Sequence, residues 1–389
     1  MPEHALVARL RAVSEIPELL AIRAALPYSF VGLLVAVLAF MAFAPAGSLV
    51  DRFQQSFLEG FGPMAALLVV LLARELAARR KLAQIPIVLG SAVAFALAAP
   101  HPGSFDVRAI SRALGGSGLF LAMLIALAAV GLARAGIAVT RNALAGAWLG
   151  AAALVACALL LLAGGISPVA VLDRALAPLG TMGDSLTALL VITFVETLLW
   201  TIGIHGPAAL AAIALPVYLS LQAQNTEAFR HGLPLPHIVT VSTFLFVFPG
   251  GAGATLPVAV LLLRSRVARV RTVARTALIP AIFNANEPLM FGLPIVLNPI
   301  LALPFVTVPL VLGCVTYFAT AAGLVARPVN YAPSAWTLPF GAWFATGDWR
   351  AIVLAAVNVA LAFAMWAPFV AAYDRAEVRR EAVEAKNVA

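Results

Sequence analysis

The sequence predicts an all-α polytopic membrane protein with about ten transmembrane helices and re-entrant hairpins in its C-terminal half. Three observations carry this. The first is composition: 63% of the 389 residues are hydrophobic and only 11% are charged, against roughly 25% charged in soluble domains, and the mean hydropathy is +1.01. The second is charge spacing. No charged residue lies between Arg23 and Asp51, Arg112 and Arg134, Arg141 and Asp173, or Arg350 and Asp374, and each run can cross a bilayer, which takes about 20 residues. The third is the stretch FNANEPLMFGLPIVLNP, residues 283–299, which sets Asn284, Asn286 and Glu287 in an apolar segment broken by Pro288 and Pro294. A carboxylate in hydrocarbon costs about 2.5 to 3.5 kcal/mol, and the prolines free backbone carbonyls that need partners. This backbone is therefore expected to line a cavity inside the protein.

In chain order, residues 1–23 carry His4, Arg9, Arg11, Glu15, Glu18 and Arg23 with no apolar core of a cleaved signal. Leu6, Leu10, Val13, Leu19 and Leu20 suggest a cytoplasmic surface helix. Spans are expected near 24–46, 61–78, 83–100, 117–134 and 142–165, followed by a polar break from Ser167 to Asp184. The second half is less regular, with apolar segments near 185–203, 207–221, 236–263, 278–294, 295–325 and 350–372. GIHG (203–206), PGGAGATLP (249–257) and the Asn-Glu segment interrupt it. Uninterrupted helices over 24–166 suit a scaffold or oligomer interface, and broken helices over 185–375 suit substrate handling; residues 376–389 form a cytoplasmic tail.

The net charge of +8 could suggest nucleic acid, but the arginines sit at the ends of apolar runs rather than on a stripe with aromatics, so no nucleic-acid partner is expected. They read as topology signals. Arg79 to Lys81, Arg134 and Arg141, Arg264 to Arg275, and Arg375 to Arg380 fall on one side, which places both termini in the cytoplasm. Arg108 and Arg112, in the loop 101–116, weaken this bias. The basic segment Arg264, Arg266, Arg269, Arg271 and Arg275 contains no acid, and Val267, Val270 and Val273 follow a different helical face. It reads either as a cytoplasmic anchor or as a docking surface for an acidic partner. Cys157 and Cys314 lie in apolar runs and are expected as core residues, not as a disulfide or a metal site. No metal and no cofactor is expected.

GIHG, GGAGATL (250–256), FNANEPLMFGLPIVLNP, and Trp336, Thr337 and Pro339 followed by Thr346, Gly347 and Asp348 resemble, in order and spacing, the enzyme IIC membrane component of the lactose/cellobiose/diacetylchitobiose family of the sugar phosphotransferase system. The resemblance is strong over about 195–375 and weaker before it, where AIR (21–23) carries it. It implies a homodimer in the bacterial inner membrane, with an N-terminal interface domain and a C-terminal sugar-binding domain that moves as a rigid body. It also implies import of an oligosaccharide, expected to be a β-linked disaccharide such as cellobiose, and phosphorylation by the phosphocysteine of cytosolic enzyme IIB, with enzyme IIA upstream. By the same resemblance His205 and Glu287 look like the pair that holds the sugar hydroxyls near the transferred phosphoryl group, and Trp336 looks like the stacking aromatic. Ala252 and Ala285 depart from the family pattern.

Those residues also make chemical sense alone. A disaccharide offers many hydroxyls and a few apolar C–H faces, which suit carboxylates and amides beside one flat ring. Asn284, Asn286, Glu287 and Trp336 supply that set, and Thr255 is counted with the sugar-binding groups. Transfer to a primary hydroxyl needs a nearby group to take its proton; both His205 and Glu287 qualify. Glu196, nine residues before His205, is not accounted for by the resemblance: it either pairs with a polar neighbour or acts as a protonatable coupling group. Accordingly, a sugar carrier not coupled to phosphotransfer, proton-coupled or facilitative, stays as the alternative function.

Overall fold

In the computed structural model, residues 16–44, 47–100, 106–293, 295 and 298–388 are described. No strand occurs among them. The chain divides into two compact units, Met1–Thr181 with Ala211–Glu227, and Met182–Leu210 with Ala228–Ala389.

The first unit contains α1 (Pro17–Ala42), α2 (Leu49–Arg79), α3 (Gln84–Ala98), α4 (Val107–Leu114), α5 (Ser117–Thr140), α6 (Ala143–Ala163) and nearly all of α7 (Pro168–Gly183). Helix starts follow the capping residues. Ser48 and Asp51 form a capping box on α2, and the Asn142 carboxamide accepts from the Leu144 and Ala145 amides of α6. Small residues let helices close on one another. A methyl at Gly136 would overlap the Gly146 carbonyl, one at Gly150 would come within 2.5 Å of the Ala133 amide nitrogen, and one at Gly90 within 2.7 Å of the Ala151 side chain. The two arginines that weaken the topology signal have other work. Arg108 donates to the Phe40 and Phe43 carbonyls at the end of α1 and lies 5.4 Å from the Phe40 ring. Arg108 and Arg112 also flank the buried Glu59 carboxylate of α2 at 3.7 and 4.0 Å. Arg80 pairs with Glu18 across α1 and α2, and this hydrogen bond is the main reason that the Glu18 carboxyl lies below the usual carboxylate range.

The second unit holds α8 (Leu186–Thr201), both ends of α9 (Gly206–Arg230), α10 (Phe244–Val247), α11 (Leu256–Leu262), α12 (Ala268–Ile282), α13 (Glu287–Gly292), α14 (Pro299–Ala321), α15 (Leu338–Thr346) and α16 (Arg350–Val388). Its core gathers Trp200, Ala252, Ala254, Val258, Leu289, Met290, Phe305 and Trp366, all buried. Asp184, in the bend between α7 and α8, accepts the Ile238 and Val239 amides, both at 2.7 Å, and thereby fixes the extended stretch after α9. Asn358 of α16 donates to the Phe246 carbonyl and to Thr316 Oγ1, which joins α10, α14 and α16.

Six helices are long and apolar enough to cross a membrane among the described residues, over 20–42, 49–79, 117–140, 143–163, 300–321 and 350–383. A seventh arises if α7 and α8, bent by 83°, count as one span. Apart from the 25-residue α9, the rest of the expected spans are short pieces. Gln84–Ala98 has 15 residues, about 22 Å at 1.5 Å per residue, less than a hydrocarbon core of about 30 Å.

Other expectations change. The break over Ser167 to Asp184 is helix α7, whose polar residues are not dense enough to stop it. The surface helix over 1–23 falls largely outside the described residues, and residues 17–23 run continuously into the first span. Residues 211–227, which the sequence reading leaves with the C-terminal part, belong to the first unit. Cys157 is exposed and Cys314 half-buried, not core, because in a membrane protein an apolar run also faces lipid.

Candidate functional site

The GIHG motif is a helix exit followed at once by a helix entry. At the end of α8 the Gly203 amide donates to the Trp200 carbonyl and the Ile204 amide to the Leu199 carbonyl, 3.0 and 2.9 Å, while Gly203 takes φ 83°. This paired closure needs a left-handed residue, which glycine adopts without strain. Gly206 then opens α9, and a methyl there would overlap the Glu196 carbonyl oxygen. Between the glycines sits His205, half-buried, its ring centroid 4.5 Å from that of Trp200 at an interplanar angle of 47°.

The second motif, PGGAGATLP, is a tight loop between α10 and α11. Gly250, Gly251 and Gly253 have φ of 88°, 89° and 81°, and Ala254 has 53°. Thr255 Oγ1 donates to the Gly250 carbonyl at 2.7 Å, and the Trp366 indole N–H to the Gly253 carbonyl at 3.2 Å. Side chains at Gly251 and Gly253 are excluded, the first by Asn284 and Asn286, the second by the Phe305 ring.

The third motif locks into the second. Asn284, left-handed at φ 59°, accepts the Gly250 amide on Oδ1 at 2.8 Å and donates through Nδ2 to the Ser334 and Trp336 carbonyls at 2.7 and 3.0 Å. Asn286, buried, donates to the Ala252 carbonyl at 2.6 Å. Three loops, 249–255, 283–287 and 333–337, thus meet on two asparagine side chains. Trp336 is half-buried and touches Phe340 and Phe344, with centroids 5.0 and 5.1 Å away, and Phe340 packs in turn on Trp343.

The structure therefore brings together Asn284, Asn286, Thr255 and Trp336. Their side chains hold backbone as well as being candidates to hold a ligand: Thr255 is fully buried and its hydroxyl is engaged within its own loop. Glu287 follows directly and opens α13, but it is exposed rather than enclosed. His205 joins the group through Trp200, which shares a buried core with Ala252 and Ala254 of the glycine-rich loop and Leu289 and Met290 of α13. Glu196 sits one turn before Trp200 on α8 and forms no hydrogen bond or ion pair with a described residue, so the expected polar neighbour is not found. Trp200, the Ser334 carbonyl and Trp366 were not singled out from sequence; for Trp200 the signal was its place five residues before His205.

A separate polar cavity of about 460 Å³ is lined by Arg269, Phe291, Gly292, Leu293, Glu377, Arg380 and Glu381 and contains none of the candidate residues. Of the basic segment, Arg269 pairs with Glu377 at 2.6 Å and Arg271 donates to the Ser265 carbonyl at 2.8 Å. Arg264, Arg266 and Arg275 remain exposed. Val267 and Val270 are buried, as the helical pattern anticipates. No cluster of three metal-ligating side chains occurs among the described residues.

The chain matches the family model described as Phosphotransferase system, EIIC, over residues 30–309. It is 39% identical over 209 residues to the lichenan permease IIC component of Bacillus subtilis (strain 168), covering 52% of this chain and 46% of that protein. It is 36% identical over 211 residues to the PTS system cellobiose-specific EIIC component of Geobacillus stearothermophilus, covering 52% and 47%. The chain thus spans about half the length of the curated relatives it matches. The crystal structure of the transporter ChbC, the IIC component from the N,N'-diacetylchitobiose-specific phosphotransferase system, superposes with a TM-score of 0.83 at 29% identity over 97% of this chain and 98% of that one.

Proposed function

This chain belongs to the phosphotransferase-system EIIC family, and from that premise we propose that it is a sugar permease that imports an oligosaccharide and presents it for phosphorylation. The substrate class is a β-linked disaccharide of the cellobiose type, in line with what the named relatives handle. As a multi-pass membrane protein it would sit in the bacterial inner membrane as a homodimer with both termini in the cytoplasm, in line with the charge bias of the arginines along the sequence. Its partners are cytosolic enzyme IIB, which carries the phosphoryl group on a cysteine, and enzyme IIA upstream.

The observation that carries this reading is the meeting of three irregular loops at Asn284 and Asn286, beside Trp336 and Glu287. Irregular backbone at membrane depth is tolerated where it is braced by protein and lines an aqueous path. A rigid frame of this kind can hold hydroxyls in fixed directions, with the half-exposed Trp336 ring as the apolar face for sugar C–H groups. In the transfer step the sugar's primary hydroxyl attacks phosphorus, the sulfur–phosphorus bond of enzyme IIB breaks, and the hydroxyl proton passes to His205 or Glu287.

Glu287→Gln tests the reading. The amide keeps the shape and loses charge-assisted hydrogen bonds; with Glu287 exposed, the low end of their range applies, about 1.5 kcal/mol or roughly tenfold in affinity. Calorimetry with cellobiose on purified protein measures it, and phosphoryl transfer should fall further than binding. Wild-type affinity and transfer in the variant would remove Glu287 from the site.

A further inference from the structure

We propose that Trp200 is a positioning residue for His205, a flat buried platform that sets the direction of the imidazole relative to the loop carrying Asn286 and Glu287. The inference rests on the reading of His205 as a group that handles the sugar hydroxyl.

The backbone on either side of His205 is closely held. His205 is one residue beyond Ile204, whose amide closes α8, and one residue before Gly206, which is pressed against the Glu196 carbonyl. Its own carbonyl accepts the Ala209 amide at 3.0 Å and begins α9. The backbone is thus fixed on both sides, and the Trp200 ring lies against the imidazole at a centroid distance of 4.5 Å. Trp200 and Glu196, four residues apart, share one side of α8, so the loop folds back over the helix it has just left.

Trp200 is itself immobilised. It is 4% exposed and packs in the core that includes Ala252, Ala254, Leu289 and Met290. Leu289 and Met290 are on α13, whose first residue is Glu287. One ring therefore refers the imidazole to the element that presents the carboxylate. The indole N–H is buried and finds no acceptor among the described residues. A buried donor without a partner is unfavourable, so the indole is held by its shape and its packing rather than by a hydrogen bond. What it offers His205 is a face, and a phenyl ring offers much of the same face.

A displacement of about 1 Å in a positioned catalytic group lowers rate by about 100-fold, while ground-state contacts spread over many hydroxyls suffer less. Trp200→Leu should lower phosphoryl transfer to saturating cellobiose 10- to 100-fold and leave cellobiose affinity within about threefold. Trp200→Phe should recover most of that loss. The deciding measurement is the cycle with His205→Ala, in membranes supplied with phosphorylated enzyme IIB: if Trp200 acts through the imidazole, Trp200→Leu costs nothing further once His205 is gone. Should Trp200→Leu fail to fold, as judged by gel filtration and cellobiose binding, Trp200→Met takes its place in the same cycle. Wild-type transfer by Trp200→Leu, losses that multiply with those of His205→Ala, or a parallel fall of affinity and transfer would each overturn the proposal. If His205→Ala alone is silent, the reading of His205 falls with it; if His205→Ala is crippled and Trp200→Leu is not, only the platform falls.

Discussion

Asn284 is the residue whose replacement should say most about the loops. Its carboxamide makes three hydrogen bonds, one from Gly250 at 2.8 Å and two to the Ser334 and Trp336 carbonyls at 2.7 and 3.0 Å. At about 1 kcal/mol each, with the Ser334 bond discounted for its exposure, they stabilise the junction by about 2 to 3 kcal/mol. The backbone adds a second term. At φ 59° an alanine carries a left-handed penalty of about 1 to 2 kcal/mol that glycine avoids. Asn284→Ala should therefore weaken the junction by about 3 to 5 kcal/mol and Asn284→Gly by about 1 to 2 kcal/mol less. Hydrogen–deuterium exchange on peptides covering 249–257 and 333–340 reads the opening directly, and 3 kcal/mol corresponds to more than 100-fold faster exchange in both. Cellobiose affinity should fall with it. Acceleration in only one of the two peptides would refute the idea of a shared junction, and an alanine variant as well protected as the glycine variant would refute the backbone part.

Further outcomes follow from single contacts. Gly206→Ala puts a methyl into the Glu196 carbonyl, so the loop must shift; a destabilisation of about 1 to 3 kcal/mol and loss of phosphoryl transfer are expected, read by thermal unfolding and transfer assays, and a wild-type melting curve would show that the contact is soft. Asp348 opens α16 and accepts from the Ala326 and Arg350 amides and the Arg350 guanidinium; burial pulls its pKa upward, but these hydrogen bonds outweigh it and leave it lowered. Its contribution is complete above the unfolded-state value of about 3.9 and is lost as pH falls through the lower folded-state value, so Asp348→Asn should cost about 1 kcal/mol at pH 5 to 8 and progressively less in stronger acid; a gap that widens below pH 4 would contradict this sign. Glu196→Gln should alter the melting temperature and leave cellobiose uptake dependent on phosphorylated enzyme IIB. Accumulation by wild-type vesicles under an imposed pH gradient without phosphoenolpyruvate, lost in the variant, would make Glu196 a coupling group.

Much of the fold was legible because membrane helices announce themselves by length and charge spacing. The expected spans 117–134 and 142–165 correspond to Ser117–Thr140 and Ala143–Ala163, where Arg134, near the end of the first helix, is the one charged residue in either run. Breaks were legible too, since GIHG, GGAGATL and NEP combine glycine, proline and side chains that compete for backbone hydrogen bonds. What a linear reading could not supply is which breaks meet. That Asn284 reaches Gly250, 34 residues away, and Trp336, 52 away, is a fact of three dimensions, and it turns an amide expected to face sugar into one that braces backbone. Glu287 shows the same limit: the cost of burying a carboxylate flags the residue, but only the structure shows that it stands exposed at a helix start. Likewise Arg108 and Arg112 stood out as exceptions to the topology bias because their partner Glu59, 1% exposed on the side chain, is remote in sequence.

The close seams of the first unit, where Gly136, Gly146, Gly150 and Gly90 leave room for a neighbouring backbone, have a consequence for engineering. Hydrocarbon tails are as apolar as leucine, so hydrophobicity cannot tell such helices which side to turn toward a partner. The instruction is written as missing volume. The outward residues of the same helices, such as Val139 at 76% and Leu160 at 74% exposure, are then free of that instruction. A water-soluble analogue of this unit could be sought by recoding those outward positions with glutamate, lysine and glutamine while every seam glycine is kept, and its helices would still find one another by shape.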